Sequence, residues 1–194
     1  MNHIVTGKVV VDVAMSLDGY IGGPSDQPER LHDWMFPASG QVDAANAAVI
    51  AASQQRYGAI VMGRHAYNLA EQYDGFVDNP YPVPHYILTH TPPSQVAKGN
   101  TAIHFVTAGI HHALEQAKAA AGSKDVAIAG GADVIQQALA AGLADEIAIA
   151  LVPVLFGRGV RLFDTLPART ELEVIQTVDA PGVTHLRYHL RQDI

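Results

Sequence analysis

Short apolar runs alternate along the chain with longer segments in which apolar residues recur every three or four positions. The runs have the length of buried strands, and the longer segments have the periodicity of helices that cover a sheet. The predicted strands are residues 9–14, 59–62, 86–89, 103–106, 126–129 and 146–155. The predicted helices are residues 41–57, 63–70, 110–121 and the segment from Gly131 to Gly142. Two alternating segments, 171–178 and 183–190, flank a turn and predict a hairpin.

This alternation of strands and helices predicts an α/β fold with three layers. We expect a central, mostly parallel sheet with helices on both faces and the C-terminal hairpin as an antiparallel addition. A chain of 194 residues is long enough for one sizeable core and short for two. We therefore expect residues 1–194 to form a single domain.

A strand, a glycine pair and a helix follow one another between Asp125 and Leu139. Gly130 and Gly131 place no side chain on the turn, so the first amides of the helix and the positive end of its dipole would be open to an anion. The same order recurs over residues 59–70, where Gly63 joins strand to helix. Both turns suit phosphate binding, but a glycine turn that only permits close packing would have the same sequence.

The region after the first predicted strand is a second candidate for a functional site. That strand is interrupted by Asp12 and leads into a glycine-rich loop over residues 15–24. Loops at the ends of core strands frequently carry function. Trp34 follows in a short apolar group, which forms either a plug beneath this loop or a wall of a substrate site.

Composition excludes several classes of function. The net charge of −7 provides no basic surface for nucleic acid or an anionic membrane. The absence of cysteine excludes disulfides, thiolate zinc sites and a cysteine nucleophile, and favours a cytoplasmic location. The longest apolar run, 147–156, is shorter than the ~20 residues of a membrane helix. We expect no nucleic-acid or membrane partner.

The common nucleotide and metal motifs are absent from the sequence. Gly157 and Gly159 are not followed by the third glycine of a dinucleotide-binding fingerprint, and no phosphate-loop motif occurs. His185 and His189 would lie ~13 Å apart along a strand, so one ion could not bind both. We predict no metal site.

Several short sequences nevertheless occur in the order seen in a known family. They are Ser16–Ile21, Val61–Tyr67, Ile87–Thr89, the Gly130-Gly131 turn, Asp145-Glu146 leading into Val152–Gly159, and Leu162-Phe163. Together they resemble the dihydrofolate reductase-like family. The opening signature, Ser-Leu-Asp-Gly-Tyr-Ile, resembles that of its riboflavin-biosynthesis reductase branch, the RibD C-terminal domain.

The resemblance implies an NADPH-dependent reductase that transfers a hydride to a pterin-like or ribosylaminopyrimidine-like heterocycle. The helix N-termini at Gly63 and Gly131 would hold the cofactor's phosphates, with Arg64 and His65 facing the adenosine 2′-phosphate. The other implied cofactor contacts are Thr89 and His90 on the adenosine side, Ala14 beside the nicotinamide, and Ala129, Gly130, Ala132, Asp133 and Val134 around the second turn. The resemblance also implies a cis peptide bond between the two glycines and a homodimer.

The sequence departs from the family pattern at several positions. Ala66 stands where the family usually has Thr, and losing that pyrophosphate-binding hydroxyl should weaken the cofactor by ~1 kcal/mol. Asp133 would bring negative charge near a diphosphate if it pointed inward, and we expect it to cap the helix or face solvent. A folate reductase needs a buried carboxylate, for which Asp26, Glu29 and Asp33 are candidates outside any matching motif.

Asp18 is the candidate catalytic residue, and stabilisation of the turn at Gly19 is its alternative role. Trp34 and Leu155 are the candidate substrate contacts. A deaminase half is missing, because its zinc site needs cysteine. A non-catalytic nucleotide-binding module is the alternative function, which Ala66 and the unmatched substrate acid keep open, since a fold does not fix a function.

Overall fold

An eight-stranded sheet forms the centre of the fold. A computed structural model describes residues 7–23, 30–164, 166 and 169–191 of the chain. The strands are β1 (Val9–Ser16), β2 (Tyr20–Gly22), β3 (Tyr57–Gly63), β4 (His85–Leu88), β5 (Ile103–Val106), β6 (Asp125–Ile128), β7 (Glu146–Val152), β8 (Val160–Arg161), β9 (Glu171–Ala180) and β10 (Val183–Arg191). The helices are α1 (Ala44–Arg56), α2 (Arg64–Gln72), α3 (Ile110–Ala121) and α4 (Ala132–Ala140). None of the described helices is long and apolar enough to cross a membrane.

The strand order across the sheet is β5-β4-β3-β6-β1-β7-β10-β9. The strands from β5 to β7 in this order run parallel, and β10 and β9 extend the sheet in antiparallel fashion. Strands β2 and β8 form a separate antiparallel pair. The predicted α/β class, parallel sheet and C-terminal hairpin are therefore confirmed.

Helices cover both faces of the sheet, as the alternation along β1 shows. Val9, Val11 and Val13 belong to a buried cluster that includes residues of α3 and α4. Val10 points the other way and packs in a cluster with Tyr67 of α2. Helix α1 lies over this second face, where it contacts β10 through a side-chain hydrogen bond. The three layers predicted from the sequence are confirmed.

Several boundaries differ from the prediction, three of them for a physical reason that the structure shows. Strand β3 begins at Tyr57 and includes Gly58, which was predicted to end the helix. A Cβ at Gly58 would lie 2.8 Å from the Cα of Ala121, so the glycine lets α3 approach the strand. The predicted loop over residues 15–24 includes the end of β1 and all of β2, which pairs with β8. Strand β7 ends at Val152, since the following Pro153 cannot donate a ladder hydrogen bond.

Glu146 is the centre of a charged network at the amino end of the parallel strands. Its fully buried carboxylate accepts hydrogen bonds from Lys8 at 2.6 Å, Arg56 at 2.8 Å and Arg187 at 2.7 Å. Burial opposes ionisation, but these three cations lower the pKa of Glu146 to about 2. Asp125 provides a second partner for Arg56. The network thus joins α1, β6, β7 and β10.

Glu146→Gln is expected to lower the free energy of unfolding by about 3–5 kcal/mol, because it leaves buried cations without their partner. A depressed pKa in the folded state means that this stabilisation is present above the ordinary pKa of 4.5 and is lost as the pH falls through about 2. The variant will lack this part of the acid dependence. Urea unfolding at a series of pH values measures both effects.

Glu115→Gln is the control, since Glu115 lies on α3 with its side chain 78% exposed and contacts His112. It should change stability little. Equal unfolding free energies for the two variants at neutral pH would contradict the role of Glu146.

Candidate functional site

A deep cleft opens between α1 and α2 on the sheet face that carries Asp12 and Ala14. Its volume is about 2220 Å³. This exceeds the range of about 300–1,000 Å³ that holds a drug-sized ligand, so the cleft has room for a dinucleotide and a second small molecule. The residues predicted to contact a cofactor all line it: Ala14, Gly63, Arg64, His65, Thr89, His90, Ala129, Gly130, Gly131, Ala132, Asp133 and Val134.

Two helix N-termini face this cleft next to each other. Helix α2 begins after Gly63 and α4 begins after Gly131, and neither N-cap residue supplies a side-chain cap. The amide of Gly63 donates to the carbonyl oxygen of Gly130 at 2.8 Å, which ties the two turns together. The first-turn amides and positive dipole ends of both helices therefore suit a pair of linked phosphates.

The glycine turn leaves space where a ligand would approach the backbone. A Cβ added to Gly131 would meet no atom within 4 Å, and one added to Gly130 would come nearest to the Cβ of Ala66, at 3.7 Å. Gly130 has φ of 114°, which glycine adopts readily. The peptide bond between the two glycines is cis, as predicted. Ala66 therefore lies across from the turn, and the described residues here fit a dinucleotide.

Arg64 places a cation at the start of α2. Its Nε donates to Asn68 at 2.7 Å, and its Nη1 donates to the carbonyl oxygen of Thr91 at 2.9 Å. The hydroxyl of Thr89 donates to the same carbonyl at 3.0 Å. The turn after β4, which includes Thr89 and His90, thus holds the guanidinium beside the α2 amides.

Helix α4 contributes backbone rather than charge to the turn. Ala132 and Val134 are buried. The carboxylate of Asp133 accepts a hydrogen bond from Gln137 at 2.8 Å and does not cap the helix. Asp133 is exposed and lines the cleft, and of the two positions expected for it the helix cap is not formed.

Small side chains form the floor of the cleft. Ala14 of β1, Ala127 of β6, and Ala148 and Ala150 of β7 line it together with Ala129. No side chain at these positions is longer than a methyl group. A planar ring can therefore approach the sheet backbone at this point.

Asp12 rises from the same floor in the middle of β1. Its Oδ2 accepts a hydrogen bond from the hydroxyl of Tyr57 at 2.5 Å. Burial raises the pKa of Asp12, while the hydrogen bond from Tyr57 and the charges of Arg56 and Arg187 act in the opposite direction. Sequence reasoning missed Asp12 as a site residue. The signal was a carboxyl residue inside an apolar strand, where an unpaired charge is costly.

Trp34 belongs both to the core and to the cleft. It packs against the cluster that contains Leu31, and its Nε1 donates to the carbonyl oxygen of Leu31 at 2.9 Å. Its ring also meets the ring of His185 edge-on at 4.8 Å, where both residues line the cleft. A ring nitrogen of His185 lies 2.9 Å from Asn46, and burial lowers the pKa of His185. These rings form an aromatic wall of the cleft, while the indole also packs in the core; contact of Trp34 with a substrate stays a prediction.

Asp18 and Leu155 do not line the cleft. The carboxylate of Asp18 accepts hydrogen bonds from the hydroxyl of Ser16 at 2.6 Å and from the amides of Phe156 and Gly157 at 3.1 and 2.7 Å. The hydrogen bond from Ser16 is the main cause that lowers the pKa of Asp18, to about 2. Desolvation acts to raise this pKa, and the hydrogen bonds from the two amides lower it further. Asp18 thus stabilises the turn after β1, and a catalytic role for it stays a prediction. Leu155 is 70% exposed.

The acids predicted for a folate-type site do not supply a buried carboxyl. Asp33 lines the cleft, but its side chain is 62% exposed and pairs with Arg30 at 3.3 Å. Asp26 and Glu29 lie outside the described residues. Within the described ranges, no group of three or more His, Cys, Asp or Glu is placed to hold a metal ion. Asp12 is a half-buried acid on the floor of the cleft.

Comparison with known proteins agrees with this geometry. The family model of the RibD C-terminal domain matches residues 7–185. Protein YyaP of Bacillus subtilis (strain 168) is 28% identical, covering 97% of this chain and 97% of its own length. A crystal structure from Shewanella sp. PV-4, named for riboflavin biosynthesis, is 27% identical and has a TM-score of 0.76, covering 95% of this chain and 99% of that chain.

Dihydrofolate reductase from Enterococcus faecalis, solved in complex with NADP(H), has the same fold. Its TM-score is 0.61 at 16% identity, and the match covers 96% of this chain and 98% of that chain. The resemblance to the dihydrofolate reductase-like family that the sequence motifs indicated is therefore confirmed at the level of the fold.

Proposed function

The chain belongs to the RibD C-terminal domain family, and we propose that it is an NADPH-dependent reductase of a pterin-like or ribosylaminopyrimidine-like heterocycle. The observation that carries this proposal is the pair of helix N-termini at Gly63 and Gly131, which lack side-chain caps and open on one large cleft. The family and its fold are of the reductase type. The cofactor and the substrate are the parts that we propose.

The first-turn amides of α2 and α4 hold the cofactor's diphosphate. Arg64 binds the adenosine 2′-phosphate with help from His65, and Thr89 and His90 lie along the adenosine. A charge-assisted contact of this kind is worth ~1.5–3 kcal/mol. NADH lacks the 2′-phosphate and forgoes the contact, so the protein prefers NADPH.

The alanine floor positions the reacting rings. NADPH supplies, when bound, a hydride from its reduced nicotinamide ring. Ala14 and Ala129 let a flat ring lie against the sheet, and Trp34 with His185 forms a wall for the heterocycle. The chain contributes orientation of the two molecules and exclusion of water from the space between them.

A non-catalytic nucleotide-binding module is the second candidate function. The observation that favours it is Ala66, which faces the glycine turn with a methyl group where a hydroxyl would bind the diphosphate. Such a module would bind NADPH and turn over no substrate. Oxidation of NADPH that depends on an added pterin or aminopyrimidine, followed by absorbance, would eliminate this candidate.

Saturating NADPH is expected to raise the melting temperature by about 5–10 °C, because ligand at ~100 times its dissociation constant adds ~2.7 kcal/mol of stability. NADH at the same concentration should raise it less. Arg64→Gln should weaken NADPH binding by about 10–150-fold and leave NADH binding nearly unchanged.

Arg169→Gln is the matched control, since the side chain of Arg169 is 87% exposed and pairs with Glu171. Equal rises with the two nucleotides would remove Arg64 from the 2′-phosphate. No rise with either nucleotide would contradict the proposed reductase.

Ala66→Thr should tighten NADPH and NADH equally, by about fivefold, because a hydroxyl facing the diphosphate adds one hydrogen bond common to both. Titration calorimetry measures the two affinities. Ala119→Thr, on the exposed face of α3, is the control for the substitution itself. Tightening confined to NADPH, or weaker binding of both nucleotides, would show that the diphosphate does not lie between Ala66 and the glycine turn.

We also propose that the chain forms a homodimer across β9. This strand is the edge of the sheet and exposes Leu172, Val174 and Ile175 by 43%, 63% and 44%. Unpaired apolar edge strands pair readily with another chain, and twofold dimers are the commonest assemblies. Sedimentation equilibrium should give twice the chain mass of 20.6 kDa, and Val174→Lys should return it to that mass. A monomer at all concentrations would contradict the dimer.

A further inference from the structure

His185 lies on β10, across the alanine floor of the cleft from Ala14. Ala14 of β1 pairs with Ala150 of β7, and Ala150 pairs with His185. Residues paired directly across a sheet point to the same face, and adjacent strands lie about 4.8 Å apart, so the Cα atoms of Ala14 and His185 are about 10 Å apart. All three residues line the cleft. A flat ring that lies over Ala150 therefore has Ala14 at one end and the imidazole of His185 at the other.

Asn46 of α1 fixes the position of the proton on the imidazole of His185. Asn46 is only 2% exposed, and its side-chain nitrogen donates to the carbonyl oxygen of Pro181 at 3.2 Å. A carbonyl oxygen can only accept, so the side-chain oxygen of Asn46 is the atom that faces Nε2 of His185, at 2.9 Å. This oxygen also can only accept, so Nε2 carries the proton. In a neutral imidazole Nδ1 is then unprotonated.

The surroundings of His185 favour the neutral form and one orientation of the ring. Burial lowers the pKa of His185, which disfavours the charged form. The indole of Trp34 meets the imidazole edge-on, with the ring centroids 4.8 Å apart and the planes at 79°. Asn46 binds the ring at Nε2 and Trp34 packs against it, so these two contacts hold its plane and its tautomer.

The Nδ1 atom of His185 is left for a molecule in the cleft. It has no hydrogen-bond partner among the residues that the structure describes. Every buried side-chain nitrogen or oxygen atom in those residues has a partner, so Nδ1 is not buried. An unprotonated ring nitrogen accepts a hydrogen bond from an N–H group, whereas its lone pair repels the oxygens of a carboxylate or a phosphate. This end of the cleft therefore suits an uncharged hydrogen-bond donor.

We propose that His185 is a specificity-determining residue whose Nδ1 accepts a hydrogen bond from an N–H group on the substrate edge opposite the reacting bond, and that Asn46 is its positioning residue. The inference rests on the proposed reductase function, in which Ala14 lies beside the nicotinamide and marks the reacting end of the substrate. The substrate is then a flat heterocycle that carries an uncharged N–H group at the end far from the nicotinamide. An anionic group at that end is disfavoured.

A purely structural role for His185 would need only Nε2, which binds Asn46, and the ring edge, which meets Trp34. The proposed role needs Nδ1 as well. His185→Phe keeps an aromatic ring beside Trp34 and removes the acceptor. His185→Asn supplies a side-chain oxygen as many bonds from the Cα atom as Nδ1, so it returns an acceptor without the ring.

The tautomer is tested on the protein without nucleotide or substrate. Nitrogen-15 NMR spectra of the histidine side chains, with His185 identified as the signal missing from His185→Phe, should show a proton on Nε2 and none on Nδ1 at neutral pH. Asn46→Leu, which removes the acceptor, should give a mixture of the two neutral tautomers. A proton on Nδ1 in the wild type would overturn the proposal, and an unchanged spectrum for Asn46→Leu would overturn the positioning role of Asn46.

The acceptor role is tested by the binding of two probes, followed by quenching of their fluorescence. One probe is pterin, and the other is a pterin in which methyl groups replace the hydrogens of the amino group and of the neighbouring ring nitrogen. His185→Phe should weaken pterin by about 3–10-fold and leave the methylated probe within about twofold of wild type, because only pterin can donate to Nδ1. His185→Asn should recover part of the lost affinity for pterin.

His189→Phe is the matched control, since His189 is an exposed histidine on the same strand that does not line the cleft. It should bind both probes as the wild type does. NADPH affinity should be the same in all these variants, because His185 lies outside the proposed cofactor contacts. Equal weakening of both probes in His185→Phe would show that His185 only shapes the cleft, which would overturn the proposal.

A wild type that binds NADPH but binds the methylated probe as tightly as pterin would overturn the acceptor role of His185 and leave the reductase standing. The same conclusion follows if the wild type binds NADPH and neither pterin. A wild type that binds neither NADPH nor pterin would contradict the proposed reductase and, with it, the inference that rests on it.

Discussion

The parallel pairing of β3 with β6 is the constraint on which the candidate site depends. Adjacent parallel strands bring their carboxyl ends to the same edge of the sheet, so the turns at Gly63 and Gly130 become neighbours. The hydrogen bond from the amide of Gly63 to the carbonyl of Gly130, 2.8 Å long, fixes their relative position. Two helices then begin side by side, and their first-turn amides form one surface for an anion. Larger side chains at these glycines would fill the space that this surface needs.

The charged network at the other end of the strands supports the same cleft. Glu146 binds Arg56 and Arg187, two cations that would otherwise be available to Asp12. If either arginine formed an ion pair with Asp12, the carboxyl group would ionise at a lower pH. The network that stabilises the sheet therefore also holds two cations that lower the pKa of Asp12, while burial raises that pKa.

Much of the fold could be predicted because its signals are local. Apolar runs and helical periodicity located the strands of the parallel sheet, and the family resemblance indicated the glycine turns and Arg64. Asp12 was missed because its partner Tyr57 lies 45 positions away along the sequence, so nothing local distinguishes it from a tolerated polar residue. The hydrogen-bond partners of Asp18 could not be predicted for the same reason, because the amides of Phe156 and Gly157 lie 138 and 139 positions away along the sequence. Contacts of this range are set by the strand order, which the sequence pattern does not contain.

We propose that the N-termini of α2 and α4 together bind the diphosphate of NADPH. At 20.6 kDa the chain suits backbone amide NMR, and a titration with NADPH tests the claim directly. We expect the largest shifts at the first-turn amides of both helices, residues 64–66 and 132–134, because these N–H groups would donate to the phosphates. Shifts at only one of the two helices, or shifts centred elsewhere in the described chain, would show that the two N-termini do not hold the diphosphate together.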